Sequence, residues 1–127
     1  MKAITVKQPF ASLIAAGIKE YEFRTWRTKY RGEILIHAGM GKDKDSIQKF
    51  ASDLDCPGGC IVARADLSDC IRVDDTFREI LREKNPEIYG WIIKHSDWEG
   101  YAFKLERIEN IPPHSLQRQA EHLGVYS

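Results

Sequence analysis

Residues 17–24 read Gly-Ile-Lys-Glu-Tyr-Glu-Phe-Arg, and this stretch decides how the first third of the chain folds. Pro9 and Gly17 are typical of the first and last positions of a short helix. A strand is predicted over residues 20–26, because the segment is rich in aromatic residues and threonine. The stretch therefore predicts a sharp helix-to-strand turn at Gly17.

The turn brings two basic residues and one acidic residue close together. Side chains alternate along a strand, so Glu22 and Arg24 share one face. Burying Lys19 would be costly, and we therefore expect it in the turn after Gly17, aimed at Glu22. This Lys–Glu–Arg cluster is open to three interpretations: a structural salt bridge, a site for an anion or a polar base, or a site in which lysine or the carboxylate activates water.

The rest of the chain predicts short strands with helices set between them. The predicted strands span residues 2–6, 20–26, 33–37, 60–73, 89–94 and 101–108. The predicted helices span residues 9–17, 42–54 and about 75–83, with Asp74 or Asp75 as the cap of the third, and a weak terminal helix spans 115–123. Regular crossover helices are missing from this order, so it favours an α+β fold over a doubly wound sheet. We expect a small barrel of about six mostly antiparallel strands, decorated by two or three helices.

Length and charge narrow the function. A chain of 127 residues is expected to form one domain over 1–127. Its 19 basic and 19 acidic residues exclude a uniformly basic nucleic-acid binder. The charge is uneven, however: residues 2–31 hold seven basic and two acidic residues, a net charge of +5, and the remainder carries −5.

The basic segment also contains aromatic residues, and this combination suits nucleic acid. Basic side chains contact phosphates, and aromatic rings and arginine stack on bases. The alternative is an ordinary hairpin with solvated charges and core aromatics. The candidate contacts to RNA or a nucleotide are Lys7, Gln8, Arg24, Trp26, Arg27, Tyr30, Arg31 and His37. Among the later aromatics, Trp98 is expected to be more exposed than Trp91, since it lies in a predicted turn.

Cysteines and apolar runs point to no further chemistry. Three cysteines do not make a disulfide framework, and Cys56 and Cys60 lack the second ligand pair of a structural zinc site. We therefore predict neither a metal nor a cofactor. No apolar run reaches the roughly 20 residues of a membrane helix, and the N-terminus is not a convincing signal peptide. A cytoplasmic protein without membrane contact is expected.

The octet at residues 17–24 resembles the G-x-K-x-x-E-x-R signature of the ASCH domain, a family of the PUA-like superfamily of small β-barrels. The resemblance extends to Gln8-Pro9-Phe10-Ala11, to the run from Trp26 through His37-Ala38, and to the strands around 59–70 and 101–113. It is specific in the first 38 residues and loose around 41–58 and 71–98. It implies a PUA-like barrel with a cleft lined by Lys19, Glu22 and Arg24.

The resemblance also implies a link to RNA, with two further readings left open. Family members bind RNA or act in RNA-linked processes such as translation coactivation. One bacterial branch hydrolyses N4-acetylcytidine with the signature lysine as catalytic residue, and ribonuclease activity is also associated with the family. If this chain is an enzyme, Lys19 and Glu22 are the implied catalytic residues, although a hydroxyl residue stands in place of Glu22 in the amidohydrolases. A protein–protein adaptor with an acidic surface ranks last.

Overall fold

A computed structural model describes residues 2–112 of the chain. Five strands and four helices follow one another in that range. In chain order they are β1 (Ala3–Gln8), α1 (Phe10–Ala15), β2 (Tyr21–Arg24), β3 (Gly32–Lys42), α2 (Lys44–Phe50), β4 (Cys60–Arg72), α3 (Asp75–Lys84), α4 (Gly90–Lys94) and β5 (Tyr101–Asn110).

The strands form one curled sheet with the order β1-β3-β4-β5-β2. Only the β1–β3 pairing is parallel, and the other three pairings are antiparallel. The fold is therefore an α+β half-barrel of mostly antiparallel strands, as the sequence predicts. Its two edge strands are β1 and β2, and the site described below lies where β2 begins.

Helix α1 fills the half-barrel. It contacts β1, β3, β4 and β5, and its residues Ala11, Leu13 and Ile14 are fully buried. Ala11 and Ile14 pack with inward-facing side chains of the strands, which are mostly Ile, Val, Leu and Ala. A second apolar cluster joins α3 and α4 to β2 and β5 through residues such as Phe77, Leu81 and Tyr89.

Two predicted elements differ from the observed ones. Residues 89–94 are predicted as a strand but residues 90–94 form α4, so the described residues contain five strands rather than about six. A short apolar run cannot distinguish strand from helix, and here Tyr89 and Ile92 are buried three residues apart while Trp91 points outward, which is a helical period. The helix predicted over 42–54 is observed only over Lys44–Phe50. Asp43 caps its start by accepting from Ser46 N at 3.2 Å.

Further predictions concern one strand, one helix cap and the exposure of two tryptophans. Strand 60–73 and the cap at Asp74, which accepts from Phe77 N at 2.8 Å, are confirmed. The expected exposure of the tryptophans is wrong, because Trp91 is exposed and Trp98 is partly buried against Phe23 and Gly100. The predicted helix over 115–123 lies outside the described residues.

Among the glycines of the described residues, Gly100 has the least room for a Cβ atom. A Cβ at this position would lie 2.3 Å from Trp98 Cη2 and 2.6 Å from the Arg24 carbonyl oxygen. We expect Gly100→Ala to lower the free energy of unfolding by about 1–3 kcal/mol, because both neighbours must move. Gly90→Ala is the matched control, since a Cβ there meets nothing within 4 Å. Chemical denaturation of both variants tests this, and equal stabilities would contradict it.

Candidate functional site

The turn between α1 and β2 is built to direct Lys19 inward. Gly17 has a φ of 77°, a left-handed conformation that other residues rarely adopt. The carbonyl of Leu13 accepts from the backbone N–H groups of Ile18 and Lys19 at 3.0 and 3.1 Å, which ends the helix. The Tyr89 hydroxyl accepts from the next two N–H groups, those of Glu20 and Tyr21. Every backbone donor in the turn is therefore held, and the direction of Lys19 is fixed.

Lys19 is a buried ammonium with two fixed acceptors. The residue is 3% exposed. Its Nζ donates to Glu22 Oε1 at 2.8 Å and to the carbonyl of Tyr21. The rings of Phe10 and Phe23 lie 5.9 and 5.2 Å from Nζ, within range of a cation–π interaction. An ammonium group has three N–H donors, and these two hydrogen bonds leave one for a ligand.

Glu22 is the centre of the cluster. The residue is 8% exposed, and its second oxygen, Oε2, accepts from Arg24 Nη1 at 2.9 Å. Burial raises the pKa of Glu22, but the charges and hydrogen bonds of Lys19 and Arg24 outweigh it and hold the pKa below 4.5. Glu22 is therefore ionised at neutral pH, and the cluster carries a net charge of +1.

Arg24 links the cluster to the opposite edge of the sheet. Its Nη2 donates to the backbone carbonyl of Thr5 in β1 at 2.7 Å. The Thr5 hydroxyl lies 3.1 Å from His37 Nδ1, and the Trp26 ring lies 5.7 Å from the guanidinium carbon. Arg24 thus joins β2 to β1, the two edges that the backbone leaves unpaired.

A cleft of about 720 Å³ opens above Lys19 and Glu22. Five aromatic side chains line it, which are Phe10, Phe23, Phe50, Trp91 and Trp98. Charged and polar side chains complete the lining, which are Asp43, Ser46, Lys49, Glu87, Lys94 and His95. A deep floor with a donor and an acceptor, below mostly apolar walls, is the usual form of a small-ligand site.

Buried Arg78 and Tyr89 hold the wall that α4 contributes to this cleft. Arg78 donates to the carbonyls of Ile92, His95 and Trp98, at 3.0, 3.2 and 2.8 Å. Burial raises the pKa of Tyr89 to about 12, so its hydroxyl stays neutral in the apolar cluster beneath the wall. The wall is thus preformed.

The structure brings together the three residues of the predicted cluster. Lys19, Glu22 and Arg24 are joined by hydrogen bonds, and Lys19 and Glu22 lie on the cleft floor. Unlike the expectation of an accessible lysine, Lys19 is buried, because Glu22 compensates its charge. Lys7 lies near the rim of the cleft, close to Asp43. The two hydrogen bonds from Ser46 are the main cause that lowers the pKa of Asp43, and the positive charge of Lys7 lowers it further.

The other predicted contacts lie beyond the cleft lining. Gln8 is buried and bonded to Ser12 and to the Pro57 carbonyl. His37 is buried beside Thr5. The Tyr30 hydroxyl donates to the Glu33 carbonyl, and Arg31 donates to the carbonyls of Thr28 and Tyr30. Trp26 and Arg27 are exposed.

Sequence reasoning missed the residues that α2 and α4 contribute to the cleft. Lys49 and Phe50 belong to α2, which lies outside the basic segment 2–31 where the contacts were predicted. Trp91, Lys94 and His95 lie in or after α4, which was predicted as a strand. A helical reading of residues 89–94 would have placed Trp91 and His95 one turn apart on one side.

The described part of the chain offers neither a metal-binding cluster nor a membrane-spanning helix. Over residues 2–112, no group of three or more His, Cys, Asp or Glu side chains could hold a metal ion. No disulfide joins Cys56, Cys60 and Cys70, which all lie within the described residues. Among the helices in this range, none is long and apolar enough to cross a membrane.

The described residues thus form a curled five-stranded sheet that is filled by one helix and carries a Lys–Glu–Arg cluster at its seam. The ASCH domain family matches residues 4–112, and the chain therefore belongs to the ASCH domain family. This PUA-like fold is associated with RNA binding.

Comparison with individual proteins agrees with this. The chain is 32% identical over 100 residues to human activating signal cointegrator 1 and 29% identical over 98 residues to the mouse protein. Each match covers 65% of this chain but only 17% of the relative. The crystal structure of ASCH from Zymomonas mobilis superposes with a TM-score of 0.61 at 18% identity, covering 98% of this chain and 80% of that one. A point mutant of that protein gives the same TM-score.

The buried ion cluster predicts a specific response to acid. Because the folded-state pKa of Glu22 lies below the ordinary 4.5, its contribution to stability is full above about pH 5 and is lost as the pH falls through the folded pKa. We expect Glu22→Gln to cost about 3–5 kcal/mol at pH 7, since Lys19 stays buried without its counter-charge. Urea denaturation at pH 7 and pH 3.5 measures both proteins.

The difference between the two proteins should shrink at pH 3.5, because the unfolded wild-type protein then takes up a proton at Glu22 that the folded protein, with its lowered pKa, resists. Asp75→Asn is the control, because Asp75 is exposed and pairs with Arg78 only at 3.4 Å. A difference for Glu22→Gln that is the same at both pH values would contradict this account of the cluster.

Proposed function

We propose that this chain binds RNA or a modified nucleotide in the aromatic cleft above Lys19 and Glu22. The observation that carries the proposal is the floor of the cleft. One unused N–H of Lys19 and the remaining lone pairs of Glu22 lie side by side, with Nζ and Oε1 2.8 Å apart. Nucleobases carry a hydrogen-bond acceptor and a donor next to each other on one edge, so such an edge fits this pair. Glu22 would accept from an exocyclic amino or ring N–H group.

The cleft has only a small excess of positive charge. Three lysines line it (Lys19, Lys49 and Lys94), three carboxylates balance them (Glu22, Asp43 and Glu87), and Arg24 beside Glu22 adds one positive charge. Exposed Lys7, Trp26, Arg27 and Arg31 would extend the contact surface to neighbouring phosphates and bases. In this proposal Tyr30, Gln8 and His37 support the backbone of that surface.

Hydrolysis of a nucleoside amide or of RNA is the second candidate, favoured by a lysine donor at the floor of a cleft. Lys19 Nζ is held as a hydrogen-bond donor by two acceptors. It would therefore stabilise a developing oxyanion rather than remove a proton. Glu22 would position the attacking water, although its lowered pKa makes it a weak base.

Binding can be tested with Lys19→Met, which keeps the length of the side chain and removes its charge. By fluorescence anisotropy with a labelled single-stranded RNA, we expect affinity to fall by about tenfold or more, since hydrogen bonds to charged groups are strong. Arg107→Gln is the matched control, because it removes one exposed positive charge that pairs with Asp66 outside the cleft lining. Binding that is absent in the wild type, or unchanged in Lys19→Met, would overturn the proposal.

The acidic remainder of the chain predicts a modest dependence on salt. Few phosphates should be contacted, so a plot of log K against log salt concentration should have a slope shallower than about −3. A titration from 50 to 300 mM KCl measures this. A slope near −7 would instead indicate a long, mainly electrostatic interface.

Hydrolysis is tested separately by incubating the protein with N4-acetylcytidine and with RNA. Product formation that Lys19→Met abolishes would support the second candidate. Product at the level of the Lys19→Met control would remove it and leave the binding proposal intact.

A further inference from the structure

The outer edge of β1 carries a backbone carbonyl that a charged side chain covers. Among the described strands, β1 pairs with β3 alone. Backbone groups alternate in direction along a strand, and the carbonyl of Lys2 accepts from Leu35 N in β3, so the carbonyl of Thr5 points away from β3. Thr5 is exposed, and Arg24 Nη2 donates to its carbonyl at 2.7 Å. Arg24 therefore occupies the middle of an edge that another strand could otherwise pair with.

Arg24 reaches this edge from a fixed position on the facing strand β2. Its Nη1 donates to Glu22 Oε2 at 2.9 Å and to the carbonyl of Phe23 at 3.0 Å. The planar guanidinium thus uses one nitrogen on β2 and the other on Thr5 in β1. Glu22 already has the charges of Lys19 and Arg24 beside it. The contact with Thr5 is therefore not needed for charge compensation, and its effect falls on the edge of β1.

The sequence of β1 is suited to pairing with a second copy of itself. Its central residues Ile4, Thr5 and Val6 are β-branched and favour strands. In an antiparallel pair centred on Thr5, this residue faces Thr5 of the other copy. Ile4 then faces Val6, and Lys7 faces Ala3, so the two lysines are not opposite each other. Threonine pairs and apolar pairs are favourable across strands, and the two-fold arrangement is self-complementary.

We propose that the outer edge of β1 is a strand-pairing surface for a second copy of this chain, and that Arg24 keeps it closed by occupying the Thr5 carbonyl. An open edge strand pairs readily with other chains, and charged side chains placed on the edge prevent this. With Arg24 in place the chain stays a monomer, and loss of its contact with Thr5 lets two copies pair through β1. This inference goes beyond the proposed function, because it concerns association of the chain rather than ligand binding.

Two substitutions separate the contact with Thr5 from the ion cluster. Arg24→Gln removes the charge and shortens the side chain, so that it no longer spans the two strands. Arg24→Lys keeps a positive charge beside Glu22, but a compact ammonium replaces the fork that joins β2 to Thr5. By sedimentation equilibrium we expect the wild type to remain a monomer, and the mass of both variants to rise about twofold over about a hundredfold range of protein concentration. Arg31→Gln is the matched control, because Arg31 donates only to carbonyls of its own loop.

Charge at position 5 tests the register of the pair. This position faces itself across the two-fold axis, so Thr5→Lys or Thr5→Glu, each added to the folded Arg24 variant, should restore the monomer by repulsion. An equal mixture of these two double variants should dimerise again, because opposite charges then face each other. Ile80→Lys and Ile80→Glu are the controls, since Ile80 is exposed on α3 and lies outside β1.

Circular dichroism shows which Arg24 variants are folded, and Arg24→Lys decides the question if Arg24→Gln does not fold. A folded Arg24→Lys protein that stays monomeric over the whole concentration range would overturn the proposal. A wild type that dimerises as readily as the variants would remove the role of Arg24. Dimers that persist after Thr5→Lys would show association through another surface and would remove the pairing through β1.

Discussion

The structure depends on one buried carboxylate. Glu22 binds Lys19 with one oxygen and Arg24 with the other, and Arg24 continues to the backbone carbonyl of Thr5. This chain of hydrogen bonds crosses the gap between β2 and β1, the two edges of the sheet. Backbone hydrogen bonds leave the half-barrel open between these two strands. The ionic side-chain bridge connects them there, as backbone hydrogen bonds connect the other neighbouring strands.

The same constraint produces the candidate site. A buried ion cluster is stable only when every charge has a partner, but a lysine has three donors and a carboxylate has several lone pairs. Lys19 uses two donors and Glu22 accepts one hydrogen bond at each oxygen. The unused capacity faces the cleft between Phe10 and Phe23. Under the proposed function, closure of the barrel and recognition of a ligand are two uses of the same three side chains.

The sequence allowed the floor of the site to be predicted but not its wall. The floor lies within eight consecutive residues, and period-two alternation and a turn glycine are enough to bring Lys19, Glu22 and Arg24 together. The wall depends on contacts distant in sequence, such as those of Arg78 with the carbonyl of Trp98. The short apolar run from Tyr89 to Lys94 is compatible with either a strand or a helix. The packing of Tyr89 and Ile92 against α3 decides in favour of the helix. That error in one element concealed Trp91 and His95.

The floor and the wall meet through a few close contacts, and these determine the width of the cleft. Phe23, which shares the strand with Glu22, meets the edges of Tyr89 and Trp98 at 5.9 and 6.3 Å. Trp98 in turn lies over Gly100, where a Cβ would come within 2.3 Å of the indole ring. Because Arg24 approaches the same glycine through its carbonyl oxygen, the strand that closes the barrel also anchors the turn that carries the wall. The distance between the ion cluster and the aromatic wall is therefore set by backbone packing at Gly100.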